Sequence, residues 1–128
     1  MKIIVLIFLL IVLITTPVCA DDFAVGANAF ERGDYKTAFA RFMPLAEKGD
    51  AFAQAMIGFM YEKGQGVIVD DTEAAKWYKL SAEQGNTDGQ GSLAKMYVSG
   101  KGVIQDYVQA YKWLQIAFAN GSKAAGSS

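Results

Sequence analysis

Histidine is missing from this sequence and cysteine occurs once, as Cys19. Those two shortages exclude a good deal of chemistry. Without histidine no Ser-His-Asp relay can be assembled, and the usual nitrogen ligand of zinc is gone. A lone cysteine closes no disulfide within the chain, so packing and hydrogen bonds must hold the fold. Charge of one sign is also lacking, with 12 basic residues against 13 acidic ones. That balance gives no support for nucleic acid or anionic lipid as a partner, since both need a concentrated basic face. Long hydrophobic runs are confined to a single stretch at the front.

That stretch, Ile3 to Ile14, follows Met1-Lys2 and precedes Thr15, Thr16, Pro17, Val18, Cys19 and Ala20. A short positive start, an apolar run and a small final residue predict a bacterial secretory signal peptide over residues 1–20, cut between Ala20 and Asp21. Twelve apolar residues fall short of the roughly 20 of an ordinary membrane span. Counting on through Ala20 brings the segment closer, so a retained anchor is the alternative. Lipid attachment at Cys19 is another, though Pro17-Val18 fits that pattern poorly. Membrane association is expected only if the leader is retained or lipidated. Cleavage leaves 108 residues with no cysteine, 11 basic and 13 acidic side chains, and a net charge of -2. The expected destination is the periplasm or the exterior.

The rest of the chain repeats. Met60-Tyr61 returns as Met96-Tyr97, and Gly64-Gln65-Gly66-Val67-Ile68 as Gly100-Lys101-Gly102-Val103-Ile104, both at a spacing of 36. Asp70 returns as Asp106, Ala74 as Ala110 and Trp77 as Trp113, while Gly49, Gly85 and Gly121 close the units. A fixed period of this length marks a solenoid. Each unit reads as two helices, for instance Ala53–Lys63 and Asp71–Gln84, from apolar residues at helical spacing. Asp70 or Asp71, and Asp106, are placed to cap the second helices. Gly85 and Gly121 suit the residue that ends a helix. Gly58, small and inside a helix, predicts close approach of a neighbour. The first unit is shorter, with helices over Phe23–Phe30 and Tyr35–Lys48 around a compact Glu31-Arg32-Gly33-Asp34 turn. Pro44 is expected to bend its second helix.

Tyr61-Glu62-Lys63-Gly64-Gln65-Gly66-Val67, Asp70, Ala74-Ala75-Lys76-Trp77-Tyr78 and Ala82-Glu83-Gln84-Gly85 resemble the Sel1-like repeat, a relative of the tetratricopeptide repeat. The next unit carries the resemblance through Met96-Tyr97, Gly100-Lys101-Gly102-Val103, Asp106, Ala110, Lys112-Trp113 and Gly121. It departs at Gly89, where the family has alanine, and at Phe118-Ala119-Asn120, where an Ala-Glu-Gln-like ending is expected. The resemblance implies an all-α solenoid of about three antiparallel helix pairs over residues 21–121, and the Gly/Ser/Ala-rich composition of residues 122–128 predicts a flexible tail. It also implies adaptor roles in protein complexes, with partners held on a concave side lined by the first helices.

Positions shared by both full units serve the fold: Tyr61 and Tyr97, Gly64 and Gly100, Gly66 and Gly102, Trp77 and Trp113. Positions that differ are free to serve a ligand. Phe52, Met56 and Phe59 form one helical stripe, and their counterparts are Asp88, Ser92 and Lys95. Such a stripe takes an apolar partner peptide or helix, or packs on Phe30, Phe39 and Phe42 of the first unit. At the far end Trp113, Ile116, Ala117 and Phe118 are expected to lie uncovered, open to a partner or to self-association. The expected function is therefore an exported protein-interaction module, an adaptor, regulator or inhibitor, with no catalytic residue, metal or cofactor. Two alternatives are a cell-wall or glycan-binding protein using Tyr78, Tyr107 and Tyr111, and a β-lactamase-like hydrolase. The second is weakened because the cysteine-rich pattern of such relatives is absent. The acidic cluster Asp70-Asp71-Glu73 sits at a helix start, where capping and the helix dipole already account for it. Gly64-Gln65-Gly66 follows a helix and lacks the Lys-Ser/Thr pair of a nucleotide loop.

Overall fold

The computed structural model describes residues 19–126; the expected leader up to residue 18 and residues 127–128 lie outside the described residues. Six helices follow one another: α1 Cys19–Glu31, α2 Tyr35–Glu47, α3 Ala51–Lys63, α4 Asp71–Glu83, α5 Thr87–Ser99 and α6 Tyr107–Gly126. They pair as α1/α2, α3/α4 and α5/α6, each pair packed on the next. The result is an α/α solenoid of three units.

Five helix starts use one device. Asp34, Asp50, Asp70, Asn86 and Asp106 each accept a backbone N–H three residues on, at 3.4, 2.8, 3.0, 2.9 and 3.1 Å. A short side-chain oxygen satisfies an amide that the first turn leaves without a carbonyl, worth about 1 kcal/mol apiece. The cap of α4 is Asp70; Asp71 is the first residue inside the helix.

Two apolar clusters make the core. The first joins Ala29, Ala38, Phe42, Leu45, Ala46, Ala53, Ile57 and Met60, with Trp77 packed against it. The second joins Ala74, Ala75, Tyr78, Ala82, Leu93 and Met96, with Trp113 packed against it. Each tryptophan thus reaches back towards the preceding unit. Tyr61 touches both clusters, so the seam is continuous.

A polar rung runs beside that seam. Gln54, buried, donates through Nε2 to the Ala46 carbonyl at 3.1 Å, and its Oε1 accepts from Gln84 Nε2 at 2.8 Å. One repeat later Gln90 donates to the Ala82 carbonyl at 3.1 Å and accepts from Asn120 Nδ2 at 3.2 Å. Asn120 therefore does the work of Gln84, which explains how the altered ending of the third unit is accommodated.

The glycine loops grip the unit before them. Gly66 has φ +77°, and a Cβ there would collide with the Tyr35 carbonyl at the start of α2. Gly102 has φ +71°, and its Cβ would collide with the Asp71 carbonyl at the start of α4. Tyr35 and Asp71 are themselves one repeat apart, so both loops seat against the same element of the previous unit. The shorter first unit packs on no earlier helix among the described residues. Its Gly33, at φ +81°, faces open space.

Two sequence expectations change, the closing role of Gly121 and the tail from 122. The unit-closing role of Gly121 is not seen: it is absent from the positive-φ glycines, and α6 runs through it to Gly126, so a tail does not begin at 122. Pro44 lies inside α2 without interrupting it. The amide it lacks would have met the carbonyl of Ala40, an exposed residue where water can replace it. Gly89 is also accounted for. A Cβ at 89 would lie 2.6 Å from Ser81 Oγ, and that hydroxyl is engaged with the Ala51 carbonyl at 2.7 Å.

Candidate functional site

A groove opens on the side of the solenoid made by the first helices. α1 contributes Phe30, α3 contributes Phe52, Ala55, Met56 and Phe59, α5 contributes Asp88 and Ser92, and Tyr78 of α4 reaches it from below. Its volume is about 340 Å³, within the range of small-ligand and side-chain pockets.

The walls are aromatic and partly held in place. Phe52 meets Phe23 at a tilt, with centroids 5.3 Å apart, yet keeps 43% of its surface exposed. Phe59 meets Phe30 edge-on at 6.2 Å, and the Lys63 ammonium sits 5.9 Å from its ring centre. Each ring therefore braces the first unit with one face, which is the packing foreseen for this stripe. The expected packing partners change in part. Phe39 meets Tyr61 instead, at 5.5 Å, and Phe42 meets Phe23 at 5.8 Å.

Tyr78 forms the floor because Gly58 makes room for it. A Cβ at 58 would lie 2.8 Å from the Tyr78 ring, which is the close approach foreseen from the size of residue 58. The Tyr78 hydroxyl donates to Glu62 Oε2 at 2.6 Å. Burial, and after it the neighbouring Glu62 carboxylate, push its pKa well above the usual tyrosine value, against a smaller opposing effect of Ser92. The hydroxyl thus stays protonated at any ordinary pH and serves as a hydrogen-bond donor rather than a base or nucleophile.

Five of the six residues singled out from the sequence come together here: Phe52, Met56, Phe59, Asp88 and Ser92. Lys95 is exposed and does not line the groove. Sequence reasoning did not place Ala55 or Tyr78 in this groove and gave Phe30 only as packing for the stripe, although the equivalence of Gly58 with Ala94 and of Tyr78 with Leu114 carried the signal for Tyr78. Where the first helix is smallest, the second is largest. Tyr78 is 1% exposed, so it offers no stacking face to a sugar; Tyr107 and Tyr111 stand exposed on α6, away from this groove. The shared positions Tyr61, Tyr97, Trp77 and Trp113 face the core clusters, while Gly64 and Gly100 close α3 and α5 and Gly85 follows α4. Among the described residues no three His, Cys, Asp or Glu side chains gather as metal ligands. Among the same residues no helix is long and apolar enough to cross a membrane.

The Sel1 repeat model matches residues 51–86 and 87–122, the second and third units. The chain belongs to the Sel1 repeat family. Solved Sel1-type structures agree. It is 36% identical to c5321, a protective antigen present in uropathogenic Escherichia coli strains displaying an SLR fold, with a TM-score of 0.75 over 80% of this chain. It is 31% identical to a Sel1 repeat protein from Oxalobacter formigenes, with a TM-score of 0.67 over 68% of this chain. The chain spans only 23% and 25% of those two proteins. Helicobacter pylori cysteine rich protein B shares the fold, with a TM-score of 0.65 over 88% of this chain and 97% of its own length, at 22% identity. No curated protein matches. Sel1 repeat solenoids are typically protein-interaction modules and generally act as scaffolds rather than enzymes.

Proposed function

We propose that this Sel1 chain is an exported protein-interaction module, an adaptor, regulator or inhibitor, whose first-helix groove holds an apolar segment of a partner protein. The observation that carries this reading is the groove itself. Phe52 and Met56 stand partly uncovered on rigid helices where the next unit has Asp88 and Ser92, so one wall is apolar and the other polar. An apolar side chain entering from a partner would lose water against Phe30, Phe52, Met56 and Phe59. Asp88 and Ser92 at the rim would orient its backbone or a neighbouring polar group. Rigid aromatic anchors with a polar edge are the common anatomy of a binding hot spot. The leader supports the export half of the reading, with the mature protein beginning at Asp21.

Selection of a random peptide library on the immobilised chain tests the groove. The selected peptides should carry an apolar anchor. Calorimetry should show their affinity falling at least tenfold, about 1.4 kcal/mol, in Met56→Asp and Phe52→Ala. Lys95→Ala should leave it unchanged. Equal binding by folded Met56→Asp and the parent chain would sink the groove reading. Mass measurement of the protein recovered outside the cytoplasm tests export, and an intact residue 1 there would refute cleavage.

A further inference from the structure

The outer face of α6 is the one second-helix face that no later unit covers among the described residues. Tyr111, Leu114 and Phe118 lie one repeat beyond Ala75, Tyr78 and Ala82 of α4. The α4 residues are buried between α3 and α5, whereas Tyr111, Leu114 and Phe118 are 66%, 50% and 75% exposed. Trp113, foreseen as part of the uncovered flank, instead packs on the second core cluster, and Ile116 and Ala117 are only partly exposed. The open stripe is thus Tyr107, Tyr111, Leu114 and Phe118, shifted round the helix from the expected one.

Two features of this stripe say what fits it. First, its spacing continues unbroken. Residues 107, 111, 114, 118, 121 and 125 are separated by alternating steps of 4 and 3, the seam of a paired helix. α6 is 20 residues long against 13 for each of the others, so that seam extends for about 30 Å. Second, the seam tapers. It begins with Tyr107 and Tyr111, passes through Leu114 and Phe118, and reaches Gly121. A seam that is large at one end and small at the other complements an identical seam only when the two run antiparallel. About a two-fold axis near Ile116, Leu114 falls opposite Phe118 of the partner subunit and Tyr111 opposite Gly121 of the partner subunit. In both of these pairs a large side chain meets a smaller or comparable one.

Head-to-tail stacking of copies fits poorly. It would seat α1 of one copy on α6 of another, as α5 sits on α4. Gly26 lies under the Phe42 ring as Gly58 lies under the Tyr78 ring, which aligns Asp22 with Gln54 and Gln90. The rung needs an amide donor at that position, and Asp22 brings a carboxylate already paired with Arg41 at 3.0 Å. A carboxylate facing a carbonyl is repulsive. The open face therefore does not propagate.

We infer that the chain forms a closed two-fold dimer through antiparallel pairing of α6 with α6 of a second copy, independently of the groove. Sedimentation over a wide concentration range tests this with the full chain. Twice the monomer mass is expected at high concentration, and Phe118→Glu should shift the protein to monomer. Phe118 is so exposed that this variant keeps its fold, which a circular dichroism melt verifies. Oxidation of a Cys19→Ser, Gln115→Cys variant should yield a covalent dimer, because residue 115 flanks the axis. A monomer at hundreds of micromolar, a dimer that survives Phe118→Glu, growth beyond two copies, or an intact dimer without the cross-link would each overturn the pairing.

Discussion

The two ends of this solenoid are built from the same hairpin and finish differently. At the front, α1 turns its aromatic residues Phe23 and Phe30 inward and leaves Ala24, Val25, Asn28 and Glu31 exposed. At the back, α6 leaves two tyrosines, a leucine and a phenylalanine in water. The connections differ in the same sense. The first unit turns through Gly33 in open space, while the second and third carry four more residues whose second glycine is jammed against the unit before. Those extra residues are a clasp between units, and the shorter turn of the first unit makes no such contact. Stability in such an array is local hairpin energy plus interface energy, and the clasp belongs to the interface.

The largest effect should come from breaking the clasp. Gly102→Ala combines a left-handed backbone with a backbone collision and should lower stability by about 3 kcal/mol or more. Gly33→Ala has the same backbone sign and free space, so its cost should stay near 1 kcal/mol. Thermal melts of the two variants measure the contrast, and equal losses would show that the loop reverses the chain without gripping a neighbour.

Next comes the glutamine rung. Removing either buried amide deletes two hydrogen bonds, one to a helix-end carbonyl that keeps its backbone partner and one from the side chain of Gln84 or Asn120, at about 1 kcal/mol for each bond. Gln54→Ala should cost more than Gln90→Ala, because Gln84 holds Gln54 at 2.8 Å while Asn120 holds Gln90 at 3.2 Å. Denaturant titration of both variants ranks them, and the reverse order would mean that the third unit is the better anchored.

The smallest effect at neutral pH separates the floor of the groove from the rest. Tyr78→Phe loses one hydrogen bond to Glu62, roughly 1 kcal/mol. Its signature lies at high pH. The folded state holds Tyr78 protonated while the unfolded chain ionises it near pH 10, so the native protein's stability is full below pH 10 and falls above it. The slope contributed by this residue approaches 1.4 kcal/mol per pH unit. Tyr78→Phe should flatten unfolding free energy above pH 10 by that amount, and an unchanged slope would contradict the burial of the hydroxyl.

Much of this was legible before any coordinates. A 36-residue period with matched glycines, tyrosines and tryptophans dictates paired helices in register, because only one spacing keeps each apolar stripe facing the same neighbour. Comparison of equivalent positions also isolated Phe52, Met56, Phe59, Asp88 and Ser92, since residues the fold does not constrain can differ between units. Three things were not legible. Residues 65–66 looked like a turn, and only the nearness of Tyr35 reveals a clasp. Gln54 and Gln90 look like surface residues in one dimension, and only burial beside a helix-end carbonyl makes them a rung. Gly121 looks like a terminator, but the backbone stays helical through it to Gly126, because a glycine permits a left-handed turn without imposing one. The sequence by itself determined the repeat, its helices and their inward faces, because those follow from local spacing and backbone freedom. The tertiary structure alone decided which loops grip, which polar groups are buried and which face of α6 stays wet, because each depends on what the neighbouring unit places against it.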